Sequence, residues 1–456
     1  MNLLIRSQML YPIELRMRPA SINTDGIHCW QIILAGFRRS SDLCTPEPCD
    51  SLDYRIVGEP NSGLHPPMHR SVPPLGSGVA IAVSLAAAVA ASVSPAADPQ
   101  FIAFVGTYTG PHSEGIYAYR FDSATGKAEA LGLAAKTANP TFLAIHPDQH
   151  HLYAANEEGQ WKGQPGGYVT AFTIDSTTGK LTELNQQSTV GGGPCHVSVD
   201  QTGKVLSAAN YGGGSVVSFP IQPDGSVAPH SAFFQHHGSS VNPGRQKEPH
   251  AHSINVSPEN HFAFVADLGT DQVFAYRISP GEGRILEPKT EPFRLSPGSG
   301  PRHLTFSPDG RFAYVINELL STVGVLAYSA DKGTLSLKQT ISTLPADFKG
   351  NSATAEVRVH PNGHFVYGSN RGLDSLAVFR VENDGQLVWL ENIPTGGKTP
   401  RNFNLDPTGR WLWAANQDSD SIFIFAVDGA TGHLTPTGQK LDVGAPVCVR
   451  FVPVAK

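Results

Sequence analysis

Pro301-Arg302-His303-Leu304-Thr305-Phe306-Ser307-Pro308-Asp309-Gly310-Arg311-Phe312-Ala313-Tyr314-Val315-Ile316-Asn317 is the stretch whose reading decides the fold. Residues 302–306 read as a short strand, Ser307-Pro308-Asp309-Gly310 has the proline and glycine placement of a β-turn, and 311–316 is a second alternating strand. The two form a hairpin. Beyond Asn317 lie a third strand at 323–328, a turn at Asp331-Lys332-Gly333 and a fourth strand at 334–339, so the unit is a four-stranded antiparallel sheet.

The phrase is repeated along the chain. It returns as Pro400-Arg401-Asn402-Phe403-Asn404-Leu405-Asp406-Pro407-Thr408-Gly409-Arg410, running on to Ala414-Ala415-Asn416, and more loosely at 140–156, 194–210, 250–267 and 354–370. A period of roughly 45 to 55 residues with β-rich content marks the blades of a propeller, not a helical solenoid. Six units open near Pro140, Pro194, His250, Pro301, Thr354 and Pro400, and the chain ends carry the pieces of a seventh. Residues 101–106, 115–120 and 131–136 read as the second, third and fourth strands of that blade, and 446–453 as its missing first strand. The expectation is an all-β, seven-bladed β-propeller over residues 98–456, with the first blade closed by the C-terminal strand.

Composition agrees. In 456 residues there are 46 glycines and 36 prolines, as many short strands and tight turns require. The net charge is −6, only 16% of residues are charged, and no Lys/Arg block argues for nucleic acid or anionic lipid as a partner. A closed ring needs no second copy, so a monomer is expected.

The first hundred residues lie outside the repeat. Residues 1–67 show no sustained period and hold Cys29, Cys44 and Cys49, whereas Met68-His69-Arg70 leads into an apolar run at 78–91 and the small residues Ser94-Pro95-Ala96-Ala97. This reads as a secretory signal at 68–97, with Met68 as the true start, 1–67 as a non-native or disordered extension and cleavage before Asp98. The apolar run is too short and alanine-rich to favour a permanent span. The expected location is periplasmic or secreted, with no membrane attachment after cleavage; it is cytoplasmic if 68–97 is not a signal. The exported chain would keep Cys195 and Cys448, whose pairing cannot be read from their spacing.

In a hairpin, the residue opening the first strand and the residue leaving the second lie at the same end. Aligning all units on their turns therefore gathers two sets on one rim of the channel. The leading set is Thr141, Cys195, His252, Arg302, Ala355 and Arg401; the leaving set is Tyr108, Glu157, Tyr211, Leu268, Glu318, Arg371 and Gln417. Histidine, arginine and glutamate converging on a concave mouth suggest a small-molecule site. Arg401 and Gln417 could equally be solvated rim residues. Strand alternation is expected to turn His303 away from Arg302, leaving it a structural role. His250 and His252 share a strand face with metal-like spacing, but no third ligand stands out, so no metal is expected. Glu356 and Arg358 share a face near the mouth, where an internal ion pair is the simplest account. The chain has no Gly-x-Ser-x-Gly elbow, P-loop or Rossmann fingerprint. Gly191-Gly192-Gly193 and Gly212-Gly213-Gly214 read as blade connections.

The phrases Phe104-Val105-Gly106-Thr107-Tyr108-Thr109, Ala154-Ala155-Asn156-Glu157, Ala208-Ala209-Asn210-Tyr211, Pro249-His250-Ala251-His252-Ser253, Ala266-Asp267-Leu268-Gly269-Thr270-Asp271, Gly300-Pro301-Arg302-His303 and Asn317-Glu318-Leu319 together resemble the lactonase family of seven-bladed propellers. That family includes the bacterial 6-phosphogluconolactonases and, more distantly, fungal carboxymuconate lactonizing enzymes. The resemblance implies a catalytic set of His252, Arg302, Glu318 and Arg371, with Arg358 competing for the second arginine; the alignment of the rim and its neighbours adds His250, Arg358, Glu157, Tyr211 and Arg401 as substrate-binding candidates. The resemblance also implies hydrolysis of a small sugar lactone to the aldonic acid without metal or cofactor. Glu318 or His252 would accept a proton from water, Arg302 would stabilise the oxyanion, and Arg371 or Arg358 would hold an anionic substituent. The alternatives are a secreted, non-catalytic ligand- or protein-binding propeller and a muconate-type lactonizing enzyme.

Overall fold

The computed structural model describes residues 17–22, 28–32 and 99–454, and the chain divides into two compact units, 1–90 and 91–456. In the first, Met17–Ile22 pairs antiparallel with His28–Ile32. The segment 68–97, read above as a signal, lies outside the described residues, as does the rest of 1–67. No helix among the described residues is long and apolar enough to cross a membrane.

The second unit is the expected ring of seven antiparallel blades. The first strands, innermost in the ring, are Pro140–Ile145, Pro194–Val199, Ala251–Val256, Pro301–Phe306, Ala353–Val359, Pro400–Leu405 and, for the first blade, Pro446–Pro453. Pro446–Pro453 pairs with Gln100–Thr107, and the Val454 amide donates to Gln100 O at 2.9 Å, so the two ends of the ring abut. In the fourth blade the outer strand is split into Arg284–Leu286 and Phe293–Arg294, both pairing with Gln272–Ser279. The first blade's outer strand, Lys127–Lys136, begins before the expected 131.

Each hairpin is set by its turn. In Ser307-Pro308-Asp309-Gly310 the Ser307 hydroxyl donates to Asp309 Oδ1 at 2.6 Å and accepts from the Phe312 amide at 3.0 Å, while Gly310 takes φ 68°. The fourth turn residue is left-handed in all six such turns, falling on Gln149, Gly203, Asn260, Gly310, Gly363 and Gly409, a conformation that glycine and asparagine tolerate best. The core lies between neighbouring blades, where aliphatic and aromatic side chains of the second and third strands interdigitate. Buried tyrosines latch three of the blades to the next: Tyr153, Tyr314 and Tyr367 donate to the carbonyls of Gly225, Gly385 and Gly432.

One backbone feature controls the channel. Every first strand carries a register shift at its leading position, between Pro140 and Phe142, Pro194 and His196, Ala251 and Ser253, Pro301 and His303, Thr354 and Val357, Pro400 and Asn402, and Pro446 and Cys448. Such a bulge places two residues opposite one and re-aims the extra side chain. The alternation argument therefore fails for His303. Its ring does not turn away from Arg302 but stands 3.2 Å from it, Nε2 to Nη1, with both residues buried. The bulge likewise breaks the shared strand face assumed for His250 and His252, since His250 precedes the strand and His252 occupies the bulge.

Candidate functional site

At the leading end of the first strands, Glu157, Cys195, Tyr211, Arg245, His252, Glu318, Arg371 and Arg401 enclose a cavity of about 250 Å³. Its centre is Glu318, which follows the second strand Phe312–Asn317 and is buried. Three guanidiniums surround the carboxylate: Arg302 Nε at 3.1 Å and Arg371 Nη2 at 2.9 Å reach Oε2, and Arg245 Nη2 at 2.7 Å reaches Oε1. Burial alone would raise the Glu318 carboxyl, but the guanidiniums of Arg371, Arg302 and Arg245 together pull it well below the ordinary carboxylate range. It is an anion whose lone pairs are already committed.

Arg302 is fixed from its other side by Ala355 O, which accepts from Nη1 at 2.7 Å. Arg371 is fixed by the carbonyls of Ala353 and Thr354. Burial lowers the Arg302 pKa to about 10, with Arg401 and Arg371 adding repulsion, yet leaves it charged at neutral pH. Arg401 extends over the Tyr108 ring and donates to its hydroxyl at 3.1 Å; that hydroxyl in turn donates to Glu157 Oε2 at 2.9 Å. Burial pushes the Tyr108 phenol far up, so it stays a donor. His252 packs edge-on against Tyr211 at 5.1 Å and sits 3.6 Å, through Nδ1, from Cys195 Sγ. Burial, then Arg302 and His303, holds the imidazole well below its ordinary 6.5, hence neutral. Cys195 and Cys448 are free thiols, and burial raises Cys195 away from thiolate.

Of the residues singled out from the sequence, Glu157, Tyr211, His252, Glu318, Arg371 and Arg401 line the cavity and Arg302 underlies it through Glu318. His250 does not line it. Its ring stacks on Tyr211 at 4.5 Å and its Nδ1 is bound to Tyr211 O, so it braces Tyr211 from behind. Arg358 is also elsewhere: it projects from the far half of its strand into a different chamber of the channel, 3.4 Å from Glu356. Between the two openings, His196, His303, Glu356 and Asn402 fill the channel, with His303 Nδ1 3.1 Å from Glu356 Oε1 and Asn402 donating to Glu356 Oε2 at 2.5 Å.

Arg245 was not foreseen. It comes from residues 236–250, the longest connection between blades in the ring, and two buried aspartates hold that segment. Asp267 accepts from the His250, Gly269 and Thr270 amides and meets His236 Nδ1 at 2.6 Å; Asp271 takes Ser240 Oγ, Gln246 Nε2 and the Gly298 and Gly300 amides. Arg245 thereby reaches Tyr211 OH at 3.0 Å as well as Glu318, while its side chain stays 42% exposed. The length of 236–250, against the short connections elsewhere, was the available signal.

Four guanidiniums facing two carboxylates in one enclosed mouth form a site for an anion or for charge that develops on oxygen. Within the described residues His146, Asp148 and His151 are the one group with metal-like spacing. There His146 Nδ1 accepts the Asp148 amide at 3.1 Å and its Nε2 meets Gly203 O at 2.9 Å, the turn bonding that His360 repeats with Asn362 and Gly409.

A ring of seven such blades with a charged, enclosed mouth defines a propeller with a small-molecule site, and comparison resolves which family. Residues 102–451 match the profile of the lactonase family, described as a 7-bladed beta-propeller, and the chain belongs to that family. A 6-phosphogluconolactonase of Bacillus subtilis is 38% identical over 355 residues, covering 77% of this chain and 99% of the relative. One from Formosa agariphila is 34% identical, covering 75% and 96%. The solved structure of a Pseudomonas aeruginosa periplasmic gluconolactonase aligns with a TM-score of 0.73 at 39% identity, covering 78% of this chain and all of that one, 100%.

Proposed function

We propose that the mouth cavity hydrolyses a sugar lactone to its aldonic acid without a metal, with His252, Arg302, Glu318 and Arg371 as the catalytic set. The observation that carries this is the joining of Arg302, Arg371 and Arg245 on the single carboxylate of Glu318 beside a neutral imidazole. The relatives named as lactonases support the reaction type.

A lactone carbonyl attacked by water develops negative charge on oxygen, and Arg302 is a fixed, desolvated cation that stabilises it without reorganising. The proton leaves water for His252, because a neutral imidazole can accept it and Glu318, held by three guanidiniums, cannot readily do so. Glu318 then serves to aim Arg302 and Arg371. Arg245 and Arg401, on the outer side, face the substituent end of the sugar, and Glu157 and Tyr211 supply hydroxyl contacts. The ring-opening step returns the proton from His252 to the departing alkoxide oxygen.

With 68–97 acting as an export signal, the substrate is an unphosphorylated aldonolactone met outside the cytoplasm, in line with the periplasmic description of the Pseudomonas relative. Acid release from a panel of glucono-, galactono- and phosphorylated gluconolactones, with and without chelator, tests the reaction. Turnover unaffected by chelator is expected; no turnover on any member rejects it. N-terminal sequencing of protein from fractionated cells tests export, with a start near Asp98 expected.

A further inference from the structure

The channel has a second chamber, of about 520 Å³, at the opposite end of the first strands from the mouth cavity. It is bounded by the far residues of those strands and by Arg358 and Arg450. These arginines are not used by the chemistry at the mouth, and the two chambers are separated by the packed layer of His196, His303, Glu356 and Asn402.

Neither arginine has a carboxylate of its own. Arg450 spends Nε on Leu143 O at 2.9 Å and Nη1 on Val449 O at 2.8 Å, and its guanidinium lies 4.6 Å over the Phe142 ring. Those contacts fix its direction and supply no counter-charge. Arg358 has only a long 3.4 Å contact to Glu356, its Nε is buried with no hydrogen-bond partner, and its side chain keeps 27% exposure toward the chamber. Glu356, the one carboxylate in reach, is already taken by Asn402 at 2.5 Å and by the Val357 amide at 3.1 Å. The neighbouring His196 and His303 are held neutral by burial and by these same arginines. A second buried donor on the wall, Ser198 Oγ, is also without a partner. Asn255 Nδ2 donates to Ser253 Oγ and Asn404 Nδ2 to Val449 O, so the guanidiniums are the charged donors of the wall.

Two like charges converging on one water-accessible chamber with a single shared carboxylate are costly unless an anion joins them. Guanidinium forks match the oxygens of phosphate and carboxylate. We propose that the far chamber binds a small oxyanion between Arg358 and Arg450, at a site distinct from the mouth cavity.

Isothermal titration of the full chain with inorganic phosphate, in parallel with gluconate, tests this without reading turnover, so its failure is independent of the lactonase assignment. Arg358→Gln is expected to weaken the far-chamber component of binding roughly tenfold or more, as loss of a charge-assisted hydrogen bond does, while Arg371→Gln, which can remove only binding at the mouth, leaves that Arg358-dependent component in place. Arg358→Lys should restore part of it. Dependence of both ligands on Arg358 would show a general oxyanion site; dependence of phosphate alone would show a tetrahedral one. Phosphate and gluconate that fail to bind, that bind Arg358→Gln as tightly as the parent, or that lose binding only in Arg371→Gln would overturn the proposal.

Discussion

Arg302 differs from an ordinary surface arginine in being buried and held at three points, by Glu318, Ala355 O and His303. Removing it takes away the desolvated cation beneath the cavity and leaves Glu318 to Arg371 and Arg245. Arg302→Ala is expected to lower kcat by about 10² to 10³-fold, the usual loss for a preorganised oxyanion partner, while circular dichroism shows the β-structure intact; Arg302→Lys, which keeps charge but not the fork, should recover part of the rate. His252 gives the complementary pH test. Burial beside Arg302 keeps it neutral well under 6.5, so kcat/KM should stay level as pH falls through 6.5 and drop only at more acid values. With Arg302→Ala one cause of that depression is gone, and the acid limb should move to higher pH. A limb that stays put would take the proton-acceptor role away from His252. The same depression links to stability. A histidine neutral when folded but ordinary when unfolded lets the unfolded chain bind more protons below 6.5, so stability is complete above 6.5 and declines as pH falls from there. His196, His252 and His303 all behave this way, each worth up to about 1.4 kcal/mol per pH unit in that window. Urea midpoints should therefore fall between pH 7.5 and 5.5, and fall less in His196→Phe, which keeps a ring stacked on Phe142 but cannot titrate.

At the scale of elements, the 236–250 segment illustrates how a loop becomes part of a site. It has no strand of its own, yet Asp267 and Asp271 take up its backbone and side-chain donors from beneath and deliver Arg245 to Glu318. Asp271→Ala removes the acceptor of Ser240, Gln246, Gly298 and Gly300 at once. It is expected to cost about 2 kcal/mol or more of stability, since buried donors lose their partner, and to raise KM for an anionic lactone more than for a neutral one, with kcat nearly kept. An equal rise for both would mean that Arg245 does not read the substrate's charge. This element also marks the limit of what could be read from sequence. The hairpins were legible because Ser-Pro-Asp-Gly and its variants fix the turn by local chemistry, and turn-based alignment then brought Glu318, Arg371, Arg401 and His252 to one rim. Arg245 was hidden because its position depends on tertiary bonds to aspartates far along the chain. The aim of His303 was misread because a bulge leaves no mark in an alternating pattern, although it recurs at the same point in all seven first strands. Arg358 was misplaced for a related reason: sharing a face with Glu356 says which way a side chain points across the sheet, and nothing about how far down the channel it lies.

For the molecule as a whole, circular closure is what makes residues from separate blades meet, and closure depends on one strand. Pro446–Pro453 is the innermost strand of the first blade and pairs along Gln100–Thr107. It brings Val449 and Phe451 to the core that holds Phe101, Phe121 and Trp413, and sends Arg450 into the channel. Without it, Gln100–Thr107 becomes an open edge next to an unfilled groove, the arrangement natural sheets avoid because it invites pairing with another chain. A chain ending at residue 445 should thus lose its single cooperative urea transition and associate. That result alone would not separate closure from the loss of buried side chains. A circular permutant does: the Val454 amide already bonds Gln100 O at 2.9 Å, so joining 454 to 99 through a short linker and opening the chain in the exposed turn at Asn383 and Asp384 keeps every blade, while the covalent link replaces the non-covalent closure. The permutant should fold with an unfolding slope like that of residues 99–454 and, because the seam can no longer separate, with a higher urea midpoint. A midpoint that fails to rise would mean that the seam is not where the ring first opens.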